Sequence, residues 1–266
     1  QNFPDQVQKI RLDEESSLVV YTKEVAPDIG LMICGEEDMQ GSFQMEYYEP
    51  YINSNVCSSK AECSIEKESA REAYDGVCDD CRLGLNLIFS VNNFMEYRKY
   101  QVLQGFFPTV TDACLSALCT QGKILLPIFK RPEAARIAKK KEQGRQKLIE
   151  AAREGNQEAI DSLTIDDMNL SNKVGRLLNS CDIYTMVESS IMPCGMESDR
   201  YTIIGEILNV VPLVNEISKE PLCQMDVKCN NICIRVLVNR SGLMGEPMAG
   251  RRFKGDIWLQ GVVNFV

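Results

Sequence analysis

One cysteine pair has a spacing that supports chemistry: Cys78 and Cys81, separated by two aspartates. Such a CxxC pair forms either a thiol–disulfide couple or half of a zinc or iron–sulfur site. The two aspartates oppose a lowered thiol pKa, because nearby negative charge disfavours the thiolate. A zinc site would also need Cys57 and Cys63, whose spacing lies outside the usual knuckle pattern. Structural thiols are therefore the favoured interpretation, with metal binding and redox catalysis as alternatives.

The chain contains no histidine, and this excludes several classes of catalysis. Ser-His and Cys-His triads, histidine-ligated zinc and imidazole acid–base work are all ruled out. The sequence has neither a Gly-rich phosphate loop nor a GxSxG elbow. Acidic pairs such as Asp79-Asp80 could perform acid–base work, but adjacent carboxylates are also common in turns. We predict no catalytic residue, no cofactor and no metal, and the sequence leans against an enzyme.

Two clusters of basic side chains are candidate binding surfaces. The first lies in a predicted helix, where it could contact phosphates, and consists of Lys139, Lys140, Lys141 and Arg145. The second lies at the last predicted turn and strand, where it could contact a nucleic-acid backbone and stack on a base, and consists of Arg251, Arg252, Lys254 and Trp258.

Each basic cluster also has a simpler interpretation that does not involve nucleic acid. The first is then a solvated face, or an intramolecular partner for residues 1–100, which carry nine basic and nineteen acidic residues. In the second, Trp258 fills a barrel interior and the arginines lie at its rim. We favour these simpler interpretations, so nucleic-acid binding is a possible but less favoured expectation.

Residues 1–129 are predicted to form a mixed α+β domain. Segments rich in aromatic and β-branched residues predict strands; they are SLVVYTKEV (17–25), GLMICGE (30–36), SFQMEYYEPYI (42–52), CSIEKE (63–68) and LGLNLIFSV (83–91). The segment TDACLSALCTQG (111–122) predicts a short helix that ends at Gly122. KILLPI (123–128) predicts a buried strand after it.

The rest of the chain divides into a helical connector and a small β-domain. Residues 130–197 contain a long run of strong helix formers with a stop at Gly155-Asn156, followed by two further helices, the last of which starts at Thr164. Residues 198–266 alternate apolar and polar side chains and predict an antiparallel OB-like β-barrel that folds on its own. An SH3-like barrel or a small sandwich is the alternative. The predicted fold class is therefore α+β.

Length, charge and cysteine usage indicate a reduced cytoplasmic protein. A chain of 266 residues buries an adequate core without disulfides, and its net charge of −9 argues against a general polyanion binder. Several of the twelve cysteines lie in apolar runs, and the polar start QNFPDQVQKI is unlike a signal peptide. A membrane span needs at least eighteen consecutive apolar residues, and no apolar run in the sequence approaches that length. We therefore expect no membrane partner.

Five blocks of the sequence resemble a family of uncharacterised proteins, a domain of unknown function from anaerobic Gram-positive gut bacteria. They are GLMICGEEDMQGSFQMEYYEPY, GVCDDCRLGLNLIFSVNNFMEY, ARIAKKKEQGRQKLIEAAREGNQEAIDSLTIDDM, YTMVESSIMPCGMESDRYTIIGEI and GEPMAGRRFKGDIWLQGVVNF. The resemblance implies a bacterial cytoplasmic origin and a segment before Gln1. It implies no activity and no site residue.

These observations favour a non-enzymatic binding or regulatory protein that acts through a partner surface, with a protein partner or self-association. One alternative is an enzyme with a carboxylate- or thiol-based site in a cleft between the two β-domains, because pockets often form between domains. The other is a weak nucleic-acid binder that uses the basic helix and the barrel rim.

Overall fold

Most of the described residues lie in β-strands. The computed structural model describes residues 3–80, 83, 85–105, 108–128, 144–145, 147–163, 187–196 and 198–266. Within these ranges no helix combines the length and the apolar composition needed to cross a membrane. The predicted α+β class is wrong, because strands predominate and are arranged in two sheets.

The first sheet, called the N-terminal sheet, is a four-stranded antiparallel meander in chain order. Its strands are β1 (Gln6–Arg11), β2 (Ser16–Ala26), β3 (Ile29–Asp38) and β4 (Phe43–Ile52). The strands predicted at 17–25, 30–36 and 42–52 are confirmed by β2, β3 and β4. Their aromatic and β-branched residues suit a pleated, half-buried surface.

The second sheet, called the large sheet, has ten strands. They are β5 (Cys63–Lys67), β6 (Tyr74–Asp80), β7 (Leu85–Val91), β8 (Val110–Leu125), β9 (Ser190–Pro193), β10 (Arg200–Val214), β11 (Pro221–Cys229), β12 (Ile232–Asn239), β13 (Leu243–Met244) and β14 (Arg252–Phe265). Their order is β13-β8-β12-β11-β10-β14-β7-β6-β5, with β9 paired to β10 and a further pairing of β8 with β14.

The predicted helix at 111–122 is wrong, because this segment lies within strand β8. Residues 113–117 are all buried, so the segment has no period-two alternation of exposed and buried side chains. Its small residues fit the centre of a sheet that is covered on both faces. Composition suggested a helix, whereas pairing with both β12 and β14 determined the strand.

The predicted self-contained antiparallel OB-like barrel at 198–266 is also wrong. Strand β8, from the region assigned to the α+β domain, pairs with β14 and, in parallel, with β12. Strand β7 pairs in parallel with β14. The alternating segments of this region do form strands, β10, β11, β12 and β14, but these complete a larger sheet.

Helical structure is limited in the described part of the chain. Helix α1 (Phe94–Gln104) ends at Gly105, whose φ of 69° suits a left-handed cap. Residues 147–153 and 157–163 are helical and are separated by Gly155-Asn156, which confirms this predicted stop. The predicted helix that starts at Thr164 lies outside the described residues.

One hydrophobic core joins the two sheets and α1. It contains Val20 and Met32 of the N-terminal sheet, Phe94 and Met95 of α1, and Phe89 of the large sheet, all buried. The inner face of the N-terminal sheet therefore packs against α1 and the large sheet.

Candidate functional site

A cleft of about 270 Å³ opens between the inner face of the N-terminal sheet and the beginning of α1, and we call it the N-terminal cleft. Its apolar floor contains Met32, Phe94 and Met95, all buried. Gln8 and Thr22 lie on its sheet wall. The volume lies near the lower end of the range for small-molecule sites, which limits an occupant to a small molecule.

Strand pairing explains why this cleft has a polar wall. On the inner face, Ile10 near the end of β1 pairs with Leu18 near the beginning of β2, and both apolar residues are buried. Further along the same face, Gln6 pairs with Thr22. Side chains of one face recur every second residue, so Gln6 lies on the same face as Ile10, and Thr22 on the same face as Leu18. This face is therefore apolar at one end of the strand pair and polar at the other. The polar end remains open and forms the wall.

Tyr51 closes the bottom of the wall, and Gly30 makes room for it. The two residues are paired across β3 and β4, and Tyr51 is only 7% exposed. A Cβ at Gly30 would lie 2.8 Å from the Tyr51 hydroxyl oxygen and 2.9 Å from its Cε1. The ring therefore lies across β3, a position that glycine allows because it has no side chain.

Three amide or hydroxyl side chains of the large sheet and its connections hold Tyr51 in place through its neighbours. Gln260 accepts a hydrogen bond from the Ile52 amide at 3.1 Å and donates to the Pro50 carbonyl at 2.9 Å. Ser116 and Asn92 donate to the Ile52 carbonyl, Asn92 at 2.9 Å. The end of β4 is therefore fixed on both sides of Tyr51.

Asn92, a residue of the cleft lining, has an acceptor atom without a partner among the described residues. Its side-chain NH₂ donates to Ile52 and, at 3.0 Å, to Asn53 Oδ1. Its Oδ1 is buried and has no hydrogen-bond partner among the described residues. A buried acceptor without a partner costs about 1–3 kcal/mol, and an N–H or O–H donor of a ligand would remove that cost.

The charges around the cleft are negative. Glu24, Asp28 and Glu96 are exposed residues on its lining, and no lysine or arginine is among the described residues that line it. The pKa of Tyr51 is raised to about 12, mainly by burial and in smaller part by the negative charge of nearby carboxylates such as Glu24. The Tyr51 hydroxyl therefore stays neutral at physiological pH, inside a field that favours cations.

A second group of charged residues surrounds Arg71. Its guanidinium pairs with Glu49 and with Glu68 at 2.8 Å and lies 4.8 Å from the centre of the Tyr47 ring. Burial raises the pKa of the nearby Asp75 to about 6, and the carboxylates of Glu68 and others add to the effect. The adjoining cavity holds about 10 Å³, roughly the space for one water molecule.

Trp258 is engaged in contacts within the chain. Its indole N–H donates to Ser90 Oγ at 3.2 Å and to Asp199 Oδ2, and the Arg200 guanidinium lies 4.8 Å from its ring centre. Ser90 also donates to Asp199 at 3.0 Å. One face of the indole is therefore covered by a cation of the chain itself.

The other predicted basic residues do not form a single surface in the described chain. Arg252 is 5% exposed and donates to the carbonyls of Leu126 and Val187, and burial lowers its pKa. Arg251 donates to the Glu246 carbonyl at 2.7 Å. Lys254 is half-buried and Arg145 is exposed, whereas Lys139, Lys140 and Lys141 lie outside the described residues.

Most of the described cysteines are buried, and burial opposes formation of the reactive thiolate. Burial raises the pKa of Cys34 to about 12 and that of Cys119 to about 11. Cys78 is fully buried, whereas Cys81 lies outside the described residues. Among the residues that the structure describes, no group of three or more Cys, Asp or Glu side chains is arranged to hold a metal ion.

Comparison with known proteins identifies the family. A family model described as "Domain of unknown function, E. rectale Gene description (DUF3881)" matches residues 2–261. The chain belongs to this family. The resemblance seen in the five sequence blocks is thereby confirmed. No curated protein and no solved structure matches the chain.

Proposed function

We propose that this DUF3881 protein is a non-enzymatic binding protein whose N-terminal cleft holds a small molecule with one or more protonated amines. The observation that carries the proposal is the lining of the cleft. Among the described residues that line the cleft there are three carboxylates and no lysine or arginine, and Asn92 Oδ1 has no hydrogen-bond partner there. An ammonium group has a positive charge, three donors and no acceptor, so it complements the carboxylates of this lining.

The cleft offers distinct contacts to the two parts of such a ligand. Phe94 and Met95 provide an apolar surface for a short carbon chain. Thr22 and Tyr51 are hydroxyl-bearing residues of the wall, and Glu96 provides a negative charge where α1 begins. A ligand with an apolar body and charged amino ends uses all of these groups.

The enzyme alternative has one observation in its favour, the pKa of Asp75 near 6. A carboxyl group with such a pKa can act as an acid or base near neutrality. The cavity beside Arg71, of about 10 Å³, has no room for a substrate, however, and Arg71 already pairs with two carboxylates, Glu49 and Glu68. This geometry favours a structural ion-pair network over catalysis.

The nucleic-acid alternative has less support than the amine ligand. Base stacking needs a free aromatic face, and Arg200 lies over the Trp258 ring. Phosphate contacts need exposed cations, and Arg252 is buried and bonded to two carbonyls.

We also propose a cytoplasmic location, which is supported by the ten described cysteines that form no disulfide.

Calorimetric titration with 1,5-diaminopentane and with 1,5-pentanediol tests the proposal, because these molecules share length and shape and differ in charge. We expect the diamine to bind and the diol to bind at least tenfold more weakly. Each of Glu24→Gln and Glu96→Gln should weaken the diamine by up to about fivefold, since an exposed ion pair contributes about 0.2–1 kcal/mol.

The matched control is Glu66→Gln, an exposed glutamate of β5 that does not line the cleft. It should leave the diamine affinity unchanged. Equal affinities for the diamine and the diol, or an equal effect of all three substitutions, would contradict the proposed ligand class.

A further inference from the structure

Cys63 and Cys78 form a cross-strand pair that the proposed ligand binding does not use. They lie directly opposite each other on β5 and β6. Cys63 is 9% exposed and Cys78 is fully buried. Cys63 is the first residue of β5, and β5 is an edge strand of the large sheet.

The hydrogen bonds around the pair define its position in the ladder. The Asp79 amide donates to the Glu62 carbonyl at 3.0 Å, so the neighbouring pair Glu62–Asp79 is hydrogen-bonded. Hydrogen-bonded and non-hydrogen-bonded pairs alternate along antiparallel strands, so Cys63–Cys78 is a non-hydrogen-bonded pair. Cα atoms at such pairs are about 4.5 Å apart, within the range of about 4.4–6.8 Å that a disulfide accepts.

The two thiols already interact in the reduced protein. The hydrogen bond with the Cys78 thiol is the main reason why the pKa of Cys63 is raised, and burial adds to it. A disulfide between them therefore requires a rotation of side chains and little movement of the backbone.

We propose that Cys63 and Cys78 are a site of reversible oxidation, at which a low-molecular-weight disulfide such as oxidised glutathione converts the two thiols into one cross-strand disulfide. The Cys63 sulfur, after losing its proton to water, attacks one sulfur of glutathione disulfide and releases one glutathione thiolate. The Cys78 sulfur, also deprotonated, then attacks the Cys63 sulfur and releases the second. The protein loses two protons and two electrons, and glutathione disulfide becomes two glutathione thiols.

Access to the thiols comes from the edge position of β5. Short edge elements open locally at a lower free energy than the core does, and opening of β5 exposes Cys63. The reaction is slow compared with that of an exposed thiol, because the thiolate is the attacking form and burial disfavours it. It becomes faster as the pH rises.

The test is incubation of the full chain with oxidised glutathione under native conditions, followed by acid quenching, alkylation in denaturant and peptide mapping without reduction. We expect one cross-linked peptide that joins Cys63 to Cys78, a loss of two thiols per chain from this pair, and full recovery with dithiothreitol. Amide exchange of β5 should slow at least severalfold after oxidation, because the disulfide fixes the edge strand.

Two variants separate this pair from other thiols. Cys63→Ser should abolish the cross-link, whereas Cys81→Ser should retain it. A cross-link between Cys78 and Cys81, or glutathione adducts at the exposed Cys57 and Cys194 with no cross-link at Cys63, would overturn the proposal. The peptide map of the unaltered chain gives this answer even if Cys63→Ser fails to fold.

Discussion

Asp75 on β6 yields a stability prediction whose sign and size follow from its surroundings. Burial raises its pKa from 3.8 to about 6, Glu68 and Asp199 add to the effect, and Arg71 opposes it. Between pH 3.8 and 6 the folded chain keeps a proton that the unfolded chain has lost. The contribution of Asp75 to stability is therefore full below pH 3.8, falls as the pH rises through 6 and is absent above it.

The expected size follows from the two pKa values. A difference of about two pH units between the folded and unfolded states corresponds to about 3 kcal/mol. Because Asp75 is only half-buried, solvent screening reduces this figure to about 1 kcal/mol. Asp75→Asn, which cannot ionise, should therefore be more stable than the unaltered chain by about 1 kcal/mol at pH 7.5 and of similar stability at pH 4.

Urea unfolding followed by circular dichroism at pH 4, 5, 6 and 7.5 measures this difference. Glu158→Gln is the control for loss of a surface carboxylate, because Glu158 is exposed and lies in the separate helical segment 157–163. The control should show no gain that grows with pH. A loss of stability in Asp75→Asn at pH 7.5, or a gain that is independent of pH, would refute the reasoning.

Three further predictions concern the packing. Trp258→Phe should lower the free energy of unfolding by about 1.5–3 kcal/mol in urea titrations, because the indole N–H donates to a carboxylate. Gly30→Ala should cost about 1–3 kcal/mol by crowding the Lys23 carbonyl and the Tyr51 ring, and calorimetry should show loss of diamine binding. A fragment of residues 198–266 should be unfolded by circular dichroism, since β8 pairs with two of its strands, and a folded fragment would contradict this.

The N-terminal sheet could be predicted from the sequence because its strands are local and separated by clear turns. Asp28 and Gly41 have positive φ values of 61° and 80° at the turns between β2, β3 and β4. Aspartate and glycine are residues that adopt this conformation readily. Local chemistry and tertiary packing agree here, so composition was sufficient.

The large sheet could not be predicted from local patterns because its pairings join distant segments. Strand β8 consists largely of small residues buried on both faces, and the same composition suits a buried helix. Helix α1 was missed for a related reason. Its buried residues Phe94, Met95 and Tyr97 lie on several sides of the helix, so no single apolar stripe indicates it.

The candidate site was missed because its residues come from separate strands and are individually ordinary. Gln8, Thr22 and Asn92 are polar side chains of types that are frequent on any surface. Strand pairing and the beginning of α1 bring them together, and neither can be derived from spacing alone. Asn92-Asn93 immediately before Phe94 was the available sign of a helix start.

The most direct test of amine binding in the N-terminal cleft is a titration of methyl-labelled methionine with 1,5-diaminopentane, followed by NMR. Met32 and Met95 lie on the floor of the cleft, whereas Met192 and Met248 are exposed elsewhere. We predict saturable shifts of the Met32 and Met95 methyl signals that 1,5-pentanediol does not produce. Shifts confined to the exposed methionines, or identical shifts with the diol, would contradict the account.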